Sequence, residues 1–289
     1  MAQLPQVSSL SCTRLARPCV TSLPIEIIPI KSIKFAVCFQ MKIGISLIND
    51  LSNIIEEFCN MNQNSNNFDE HRLPISKVYD QIAESFDTTR RYPWKDVIEF
   101  VEEISKKELV LDLGCGNGRH TKLILEKDTP TIGMDLSYNI LQIALAKTLK
   151  QFQNLIPGMI NADTIFLPFR KNSFDKIIMI AVIHHLDTDN KRALALREIN
   201  NILKKNGQLL ISCWLNTHPR FKKEDLAPLI AQNKQDILVP WTMTNGKKIN
   251  RYYYLFDPKE FEELVLSSGL MIRLKRITNH NLFIIAQKK

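Results

Sequence analysis

The sequence has no apolar run long enough to cross a bilayer. A membrane-spanning helix needs about 18 or more consecutive apolar residues. The longest such run in the N-terminal part, Phe35 to Met41, is closed on both sides by Lys34 and Lys42. We therefore do not expect a membrane protein.

The chain also has no cysteine pattern of the kind that stabilises small secreted domains. No C-x-x-C pair occurs, and no cluster of cysteine and histidine has zinc-ligand spacing. Six thiols spread over 289 residues do not form a disulfide scaffold, so we expect a reducing, intracellular environment and no metal site. The cysteines are Cys12, Cys19, Cys38, Cys59, Cys115 and Cys213.

Acidic residues are scarce at the start of the chain. Residues 1–40 contain one acid, Glu26, beside four basic residues and four prolines, and they show no persistent helical or strand period. An acid-poor start is typical of an organelle transit peptide, although the prolines disfavour the amphipathic helix that such a peptide uses. Translation from Met41 is the other interpretation. A polar, asparagine-rich linker follows at Asn60–Asn67.

The chain divides into a predicted poorly ordered extension, residues 1–70, and a predicted single domain, residues 71–289. The formal net charge of +8 is shared unevenly, because the extension carries −1 and the domain +9. A basic domain suits a polyanionic partner, since each neutralised phosphate releases counterions. A basic surface that is merely solvated explains the charge equally well.

From about Ile75 onward, apolar runs alternate with helical patterns. Val78, Ile82 and Phe86 recur every four residues, which predicts an amphipathic helix, and Trp94–Ile104 predicts a second one. Further along, the predicted strands are Leu109–Leu113, Thr131–Asp135, Gly158–Asn161, Phe174–Ile180, Gln208–Leu215, Met271–Thr278 and Leu282–Gln287. The predicted helices are Arg119–Glu126, Ser137–Leu149, Asp189–Leu203 and Pro258–Ser267, with Ser137 and Asp189 as N-caps.

This alternation indicates right-handed βαβ units and a parallel sheet covered on both faces. The last two predicted strands are joined tightly, so one of them must run antiparallel to its neighbour. We therefore predict an α/β, Rossmann-like fold. Its central sheet is mostly parallel and seven-stranded, with an antiparallel hairpin at the edge.

The most specific local signal is the segment Asp112-Leu113-Gly114-Cys115-Gly116-Asn117-Gly118, which lies between a predicted strand and a predicted helix. Glycines here let the backbone turn sharply and approach a ligand at the carboxyl end of the sheet. A dinucleotide loop would have its third glycine at position 119, where this chain has Arg119. Asp112 suits a ligand that carries an ammonium group better than one that carries a pyrophosphate. Asp135, 21 residues after Gly114, can accept both hydroxyls of a ribose.

This D-x-G-x-G-x-G motif with its following acid resembles the cofactor site of the class I S-adenosylmethionine-dependent methyltransferases, over about residues 75–289. The resemblance implies that the loop lies beside the amino-acid part of the cofactor. It also implies that Asp135 binds the ribose and Asp163 the adenine amino group. The other interpretation is a structural tight turn with two incidental acids. The implied cofactor-binding residues are Asp112, Gly114, Cys115, Gly116, Gly118, Asp135, Ala162 and Asp163.

Four further segments indicate which class of molecule accepts the methyl group. They are Tyr79–Ala83 continuing through Phe86 to Arg90 and Trp94, then Ala181–Leu186, Gln235–Trp241 and Arg251–Phe256. Together they resemble the eukaryotic-type methyltransferases that esterify carboxymethyluridine at the wobble position of tRNA. That family includes the methyltransferase part of an AlkB-type tRNA hydroxylase. The resemblance implies S-adenosylmethionine as cofactor, a tRNA anticodon loop as partner and the methyl ester of 5-carboxymethyluridine as product.

Methyl transfer to a carboxylate needs no strong base, because the acceptor is already ionised at neutral pH. The protein must align the carboxylate and remove part of its water. Arginine holds a carboxylate through a planar two-point contact. Arg90 and Arg251, in two of the family-like segments, are the candidates for binding the carboxylate or a phosphate. A surface salt bridge is their other interpretation.

His184 and His185 follow a strand of buried type, where ligands meet open α/β sheets. A hydrogen bond from an imidazole can orient the uracil or its substituent, and a satisfied structural histidine is the alternative. Side chains alternate on extended backbone, so only one of the two can face the pocket. We favour His184 as a catalytic residue and expect His185 to contact substrate.

Aromatic side chains offer flat faces on which an unstacked anticodon base can stack. Tyr254 would alternate inward and belong to the core. The segment His218–Lys248 is too long for an ordinary connection and contains six basic residues, which predicts a substrate-binding insertion. The aromatic residues predicted to contact substrate are Trp94, Trp241, Tyr252 and Tyr253.

The resemblance also implies a protein partner, a small zinc-containing activator that adds a strand to the sheet edge and covers apolar surface. It implies a cytoplasmic protein that also enters the nucleus, and the acid-poor start does not exclude targeting to mitochondria.

Two rival functions stay open. A methyltransferase of a quinone, sterol or free acid would need a lipophilic lid where this chain has Gln235-Asp236. The other rival is a non-catalytic RNA-binding protein that has kept the fold.

Overall fold

The computed structural model describes residues 73–152, 157–219, 228–230 and 233–289. The predicted extension over residues 1–70 and part of the predicted insertion after residue 218 lie outside the described residues. None of the helices in these ranges combines the length and the apolar character that crossing a bilayer requires.

The described residues form ten strands and a central sheet of the predicted kind. Seven of them lie in the order β3-β2-β1-β4-β5-β10-β9. Strands β1 to β5 of this sheet are parallel, and β10 runs antiparallel to both β5 and β9. The predicted α/β fold with an antiparallel edge hairpin is therefore confirmed. The strands are β1 (Val110–Leu113), β2 (Thr131–Asp135), β3 (Gly158–Asn161), β4 (Phe174–Ile180), β5 (Leu203–Trp214), β6 (Pro228–Ile230), β7 (Asn233–Thr242), β8 (Lys248–Tyr254), β9 (Leu270–Thr278) and β10 (Asn281–Lys288).

Helix boundaries follow capping chemistry. The Ser137 hydroxyl accepts a hydrogen bond from the backbone N–H of Ile140, which confirms Ser137 as an N-cap. The predicted cap Asp189 is wrong by one residue, because the Thr188 hydroxyl accepts from the N–H of Lys191 and Asp189 is the first helical residue. The helices are α1 (Ile75–Thr89), α2 (Lys95–Glu102), α3 (Arg119–Leu125), α4 (Tyr138–Gln151), α5 (Asp189–Ile202) and α6 (Pro258–Ser267).

Strands β6, β7 and β8 form a separate antiparallel sheet that the sequence patterns do not predict. The described part of the predicted insertion supplies β6 and β7, and β7 pairs with β8 so that Val239 lies opposite Arg251. Ile249 of β8 packs against Val78 and Ile82 of helix α1. This packing holds β8 close to α1.

Helix α1 lies against the carboxyl ends of the central strands. The Asp80 carboxylate accepts hydrogen bonds from the Ser137 hydroxyl at 2.7 Å and the Asn139 N–H at 3.1 Å, at the start of α4. Near the other end of α1, Asp87 accepts from the Asn117 amide at 2.7 Å. These contacts fix α1 across the open end of the sheet, where ligands of parallel α/β folds bind.

Candidate active site

A cavity of about 480 Å³ lies between helix α1 and the carboxyl ends of β1, β2 and β4. The structure brings many of the predicted residues together there. Those that line the cavity are Arg90, Trp94, Gly114, Cys115, Gly116, Asp135, Asp163, His184, His185, Arg251 and Tyr253. Five predicted residues lie outside its lining, namely Asp112, Gly118, Ala162, Trp241 and Tyr252.

The glycine loop needs glycine for two physical reasons. Gly114, Gly116 and Gly118 have φ values of +72°, +56° and +78°, a left-handed conformation that other residues rarely adopt. Space is also short, because a Cβ on Gly114 would lie 2.2 Å from Cγ2 of Val182. The loop therefore presents bare backbone to the cavity, as a close-fitting ligand requires.

Asp135 joins the loop to the next strand. Its carboxylate accepts hydrogen bonds from the N–H groups of Gly116 and Ser137, both at 2.9 Å. Burial, the largest effect, raises the pKa of Asp135 to about 6. Asp163 also lines the cavity, and burial raises its pKa. Both acids therefore line the cavity, and their contacts with ribose and adenine stay predictions.

Asp112 lies one layer beneath the loop. It is 1% exposed and accepts a hydrogen bond from the Thr121 hydroxyl at 2.6 Å, while burial raises its pKa to about 6. Because the side chain does not line the cavity, it supports the loop from below. Ala162 is likewise buried in the core.

Arg251 is the most unusual charged residue of the site. Its side chain is 2% exposed, and its Cζ lies 4.7 Å from the ring centre of Trp241 and 5.2 Å from that of Tyr253. Its Nε has no hydrogen-bond partner, and within the described ranges no carboxylate forms an ion pair with it. The alternative interpretation of Arg251 as a surface salt bridge is therefore wrong.

Arg90, at the end of α1, approaches the same indole. Its Cζ lies 5.6 Å from the Trp241 ring centre and 5.5 Å from that of Phe86. The Trp241 N–H donates to the Ser85 hydroxyl at 2.8 Å. Trp241 therefore contacts the guanidinium groups of Arg90 and Arg251 but does not itself line the cavity, and its stacking on an anticodon base stays a prediction.

The two histidines both line the cavity, so the expectation that only one can do so is wrong. That expectation assumed extended backbone after β4. Instead Ala181 has a φ of +58° and Ile183–His185 form a 3₁₀ turn, in which successive side chains do not alternate.

The hydrogen bonds of each imidazole fix its tautomer. His184 Nδ1 accepts from the Trp214 N–H at 3.2 Å, so the proton lies on Nε2, which has no partner among the described residues. His185 Nδ1 lies 2.8 Å from the Tyr252 carbonyl, which can only accept, and Nε2 lies 2.9 Å from the Tyr79 hydroxyl. Burial lowers the pKa of His184 well below its usual value and that of His185 to about 3.

The tyrosines of β8 are all buried, contrary to the prediction for Tyr252 and Tyr253. Tyr252 is 2% exposed and its hydroxyl donates to Asp236, so its ring offers no face to a base. Tyr253 lines the cavity but is stacked on Trp214, with ring centres 4.4 Å apart. Tyr254 belongs to the core, as predicted. The main core and Trp214 thus cover the tyrosine faces that the sequence pattern leaves open.

The sequence patterns assign no role to several residues of the cavity. Arg119 follows the glycine loop directly, and its Cζ lies 5.6 Å from the Trp94 ring centre. Burial and the nearby charge of Arg90 lower its pKa to about 10. Its place right after the last glycine is the signal that could have identified it. Tyr79 begins the first family-like segment but has no role assigned from the sequence, and Trp214 reaches the cavity through tertiary packing.

Comparison with known proteins identifies the family of the chain. A family model described as a methyltransferase domain matches residues 111–211. The tRNA (carboxymethyluridine(34)-5-O)-methyltransferase of Schizosaccharomyces pombe is 30% identical over 233 residues, which cover 74% of this chain and 96% of that protein. The tRNA (carboxymethyluridine(34)-5-O)-methyltransferase alkbh8 of Xenopus tropicalis is 32% identical over 239 residues, which cover 66% of this chain. The chain spans 36% of the length of that Xenopus relative.

Solved structures agree on the fold. A SAM-dependent methyltransferase from Methanosarcina mazei superposes with a TM-score of 0.57 at 20% identity, over 68% of this chain and 98% of the other. The 1,6-didemethyltoxoflavin-N1-methyltransferase of Burkholderia thailandensis gives a TM-score of 0.55 at 18% identity, over 74% of this chain and 87% of the other. On the similarity to the Schizosaccharomyces protein, this chain belongs to the family of the tRNA (carboxymethyluridine(34)-5-O)-methyltransferases.

Proposed function

We propose that this protein transfers a methyl group from S-adenosylmethionine to the carboxylate of 5-carboxymethyluridine at the wobble position of tRNA. One observation carries the proposal. The buried guanidinium of Arg251 lacks an anionic partner within the described ranges and faces the same cavity as the glycine loop. A buried cation without an anion is costly, and an acceptor carboxylate would supply that anion.

The cavity residues fit the cofactor. The left-handed glycines leave room that a Cβ would fill, and Asp135 and Asp163 line the part where a ribose and an adenine would lie. When bound, S-adenosylmethionine supplies a methyl group on a positively charged sulfur. Asp135 must be ionised to accept two ribose hydroxyls, and the two backbone N–H groups that it binds favour that form.

On the acceptor side, the cavity residues would orient the acceptor carboxylate and remove part of its water. The guanidinium of Arg251 is shaped for two parallel hydrogen bonds to a carboxylate. Its ring neighbours Trp241 and Tyr253 restrict its movement and exclude water. The Nε2–H of His184 is free to donate to an acceptor oxygen.

No residue is needed as a base. The acceptor is ionised at neutral pH, and both cavity histidines have pKa values far below neutrality. A neutral imidazole with one nitrogen already bonded can still donate from the other. The histidines therefore suit a binding and orienting role better than proton transfer.

We also propose a small zinc-containing activator protein as partner. The resemblance described above supports it. So does the central sheet, which ends in β3 on one side and β9 on the other among the described strands. Main-chain groups at such an edge can pair with a strand of another chain.

The decisive experiment supplies the purified protein with labelled S-adenosylmethionine and tRNA that carries 5-carboxymethyluridine, with and without the activator. Nucleosides are then analysed by mass spectrometry. We expect carboxymethyluridine to be converted to its methyl ester. No ester in either arm, under conditions where a known family enzyme works, contradicts the proposal.

The same experiment separates the two rivals. A small-molecule methyltransferase would consume the cofactor with a free acid and leave the tRNA unchanged. A non-catalytic RNA-binding protein would retain tRNA and produce no ester with any acceptor. An Arg251→Met variant serves as the matched control, because it keeps the glycine loop and removes the proposed acceptor contact.

A further inference from the structure

One imidazole connects three walls of the cavity. His185 lies in the 3₁₀ turn after β4, and its ring nitrogens lie 2.9 Å from the Tyr79 hydroxyl on α1 and 2.8 Å from the Tyr252 carbonyl on β8. No other hydrogen-bonding atom remains on the ring. His185 therefore has nothing left to offer a substrate, in contrast to the role that the sequence predicts for it.

The direction of each bond follows from the partners. The Tyr252 carbonyl can only accept, so Nδ1 donates to it and Nε2 must accept the proton of the Tyr79 hydroxyl. This neutral tautomer persists at working pH, because burial outweighs the opposing effect of the Tyr252 carbonyl and lowers the pKa of His185 to about 3. The imidazole therefore keeps one protonation state and links its two partners through fixed hydrogen bonds.

The connection ends beside the acceptor arginine. The carbonyl that His185 holds belongs to the residue directly after Arg251. The His185 ring also packs 4.5 Å from the ring centre of Tyr253, over which the Arg251 Cζ lies at 5.2 Å. Two contacts from one imidazole thus fix the backbone and one aromatic neighbour of Arg251.

We propose that His185 is a positioning residue that holds Arg251 in register with the acceptor carboxylate and ties it through Tyr79 to helix α1. The inference rests on the function proposed above, because it takes the carboxylate as the ligand of Arg251. A buried guanidinium with no anionic partner in the described ranges is oriented by the Trp241 and Tyr253 rings and by its own strand, and His185 contacts Tyr253 and that strand.

The test measures discrimination between an acid and its ester. Protein loaded with S-adenosylhomocysteine, so that no turnover occurs, is titrated with tRNA that carries 5-carboxymethyluridine or its methyl ester. The wild-type protein is expected to bind the acid form about tenfold or more tightly, since only the acid makes a charge-assisted contact with Arg251. Absence of any preference in the wild-type protein contradicts the proposed function itself.

Two substitutions then isolate His185. His185→Phe keeps a flat ring and removes both hydrogen bonds, and we expect the preference for the acid to fall to about twofold or less with the affinity for the ester unchanged. His185→Asn places an amide N–H where Nδ1 lies and is expected to restore most of the preference. A Phe variant that keeps the preference, or that weakens both forms equally, overturns the inference.

The pH dependence of turnover gives an independent readout. A positioning residue that stays neutral leaves the shape of the profile unchanged, so His185→Asn and the wild-type protein should differ in kcat and share the same limbs. Loss of a limb in the Asn variant would identify His185 as a proton carrier and would also overturn the inference.

Discussion

Replacing Arg251 by methionine is expected to make the protein more stable and nearly inactive. Burial of an ion costs several kcal/mol. The contacts of the guanidinium with Trp241 and Tyr253 offset about 1–2 kcal/mol each. Methionine fills similar space without a charge. The balance is a gain of about 1 kcal/mol, which corresponds to a rise in Tm of about 2–4 °C for a domain of this size.

The activity should change in the opposite direction. A two-point contact between arginine and carboxylate contains two charge-assisted hydrogen bonds, each worth about 1.5–3 kcal/mol. Loss of about 3–5 kcal/mol from the transition state lowers kcat/KM by about 10²- to 10⁴-fold. Arg251→Lys keeps the charge but not the planar fork, so it should fall between the methionine variant and the wild-type protein.

The assay pairs thermal unfolding of the ligand-free protein with kcat/KM on tRNA that carries 5-carboxymethyluridine. Arg192 is the matched control, because it is also buried, at 3% exposed, but donates to the Leu186 carbonyl at 2.6 Å and pairs with Asp189. Arg192→Met should lower Tm. An Arg251→Met variant that is destabilised as much as Arg192→Met would show that Arg251 has a structural partner, and the reasoning would be wrong.

Three further outcomes are expected, two for residues of the cofactor site and one for Arg90 on the acceptor side. Asp135 has a pKa of about 6 in the free protein, so protons compete with the ribose: cofactor affinity measured by calorimetry should fall below pH 6, and Asp135→Asn should lose this pH dependence together with much of the affinity. Gly114→Ala places a Cβ 2.2 Å from Val182 at a φ of +72°, so it should weaken cofactor binding at least tenfold and lower Tm, and normal values of both would contradict the steric argument. Arg90→Ala should depress turnover far more than cofactor affinity, and an equal loss of both would assign Arg90 to the cofactor instead.

The sequence patterns predict the sheet well because its strands are short, apolar and bounded by turn signals. Strand β1 is buried along its whole length, and buried parallel strands leave near-continuous apolar runs in the sequence. The glycine loop is equally readable, since a left-handed backbone with no room for a Cβ restricts the residue type. Local physics dictates these features, so local patterns reveal them.

Sequence patterns do not predict the features that depend on tertiary packing. The alternation rule applied to His184 and His185 failed because Ala181 takes a left-handed φ that no neighbouring residue signals. The sequence predicts open faces for Tyr252 and Tyr253, but Tyr252 packs into the main hydrophobic core and Tyr253 stacks on Trp214. The placement of Tyr79 beside His185, 106 residues away, is set by the way α1 lies across the sheet.

Burial is the common cause of the electrostatics of the cavity. It raises the pKa of Asp135 and Asp163, lowers that of both histidines and makes it costly that Arg251 has no anionic partner in the described ranges. The burial of Asp135 and Arg251 is unfavourable in the free protein, and a ligand of the right charge or hydrogen-bonding type relieves it. The cavity is therefore organised for occupancy. The cofactor and the acceptor tRNA bind the folded protein but not the unfolded chain. Each should therefore raise the free energy of unfolding by about 2.7 kcal/mol when its concentration is a hundredfold above its Kd.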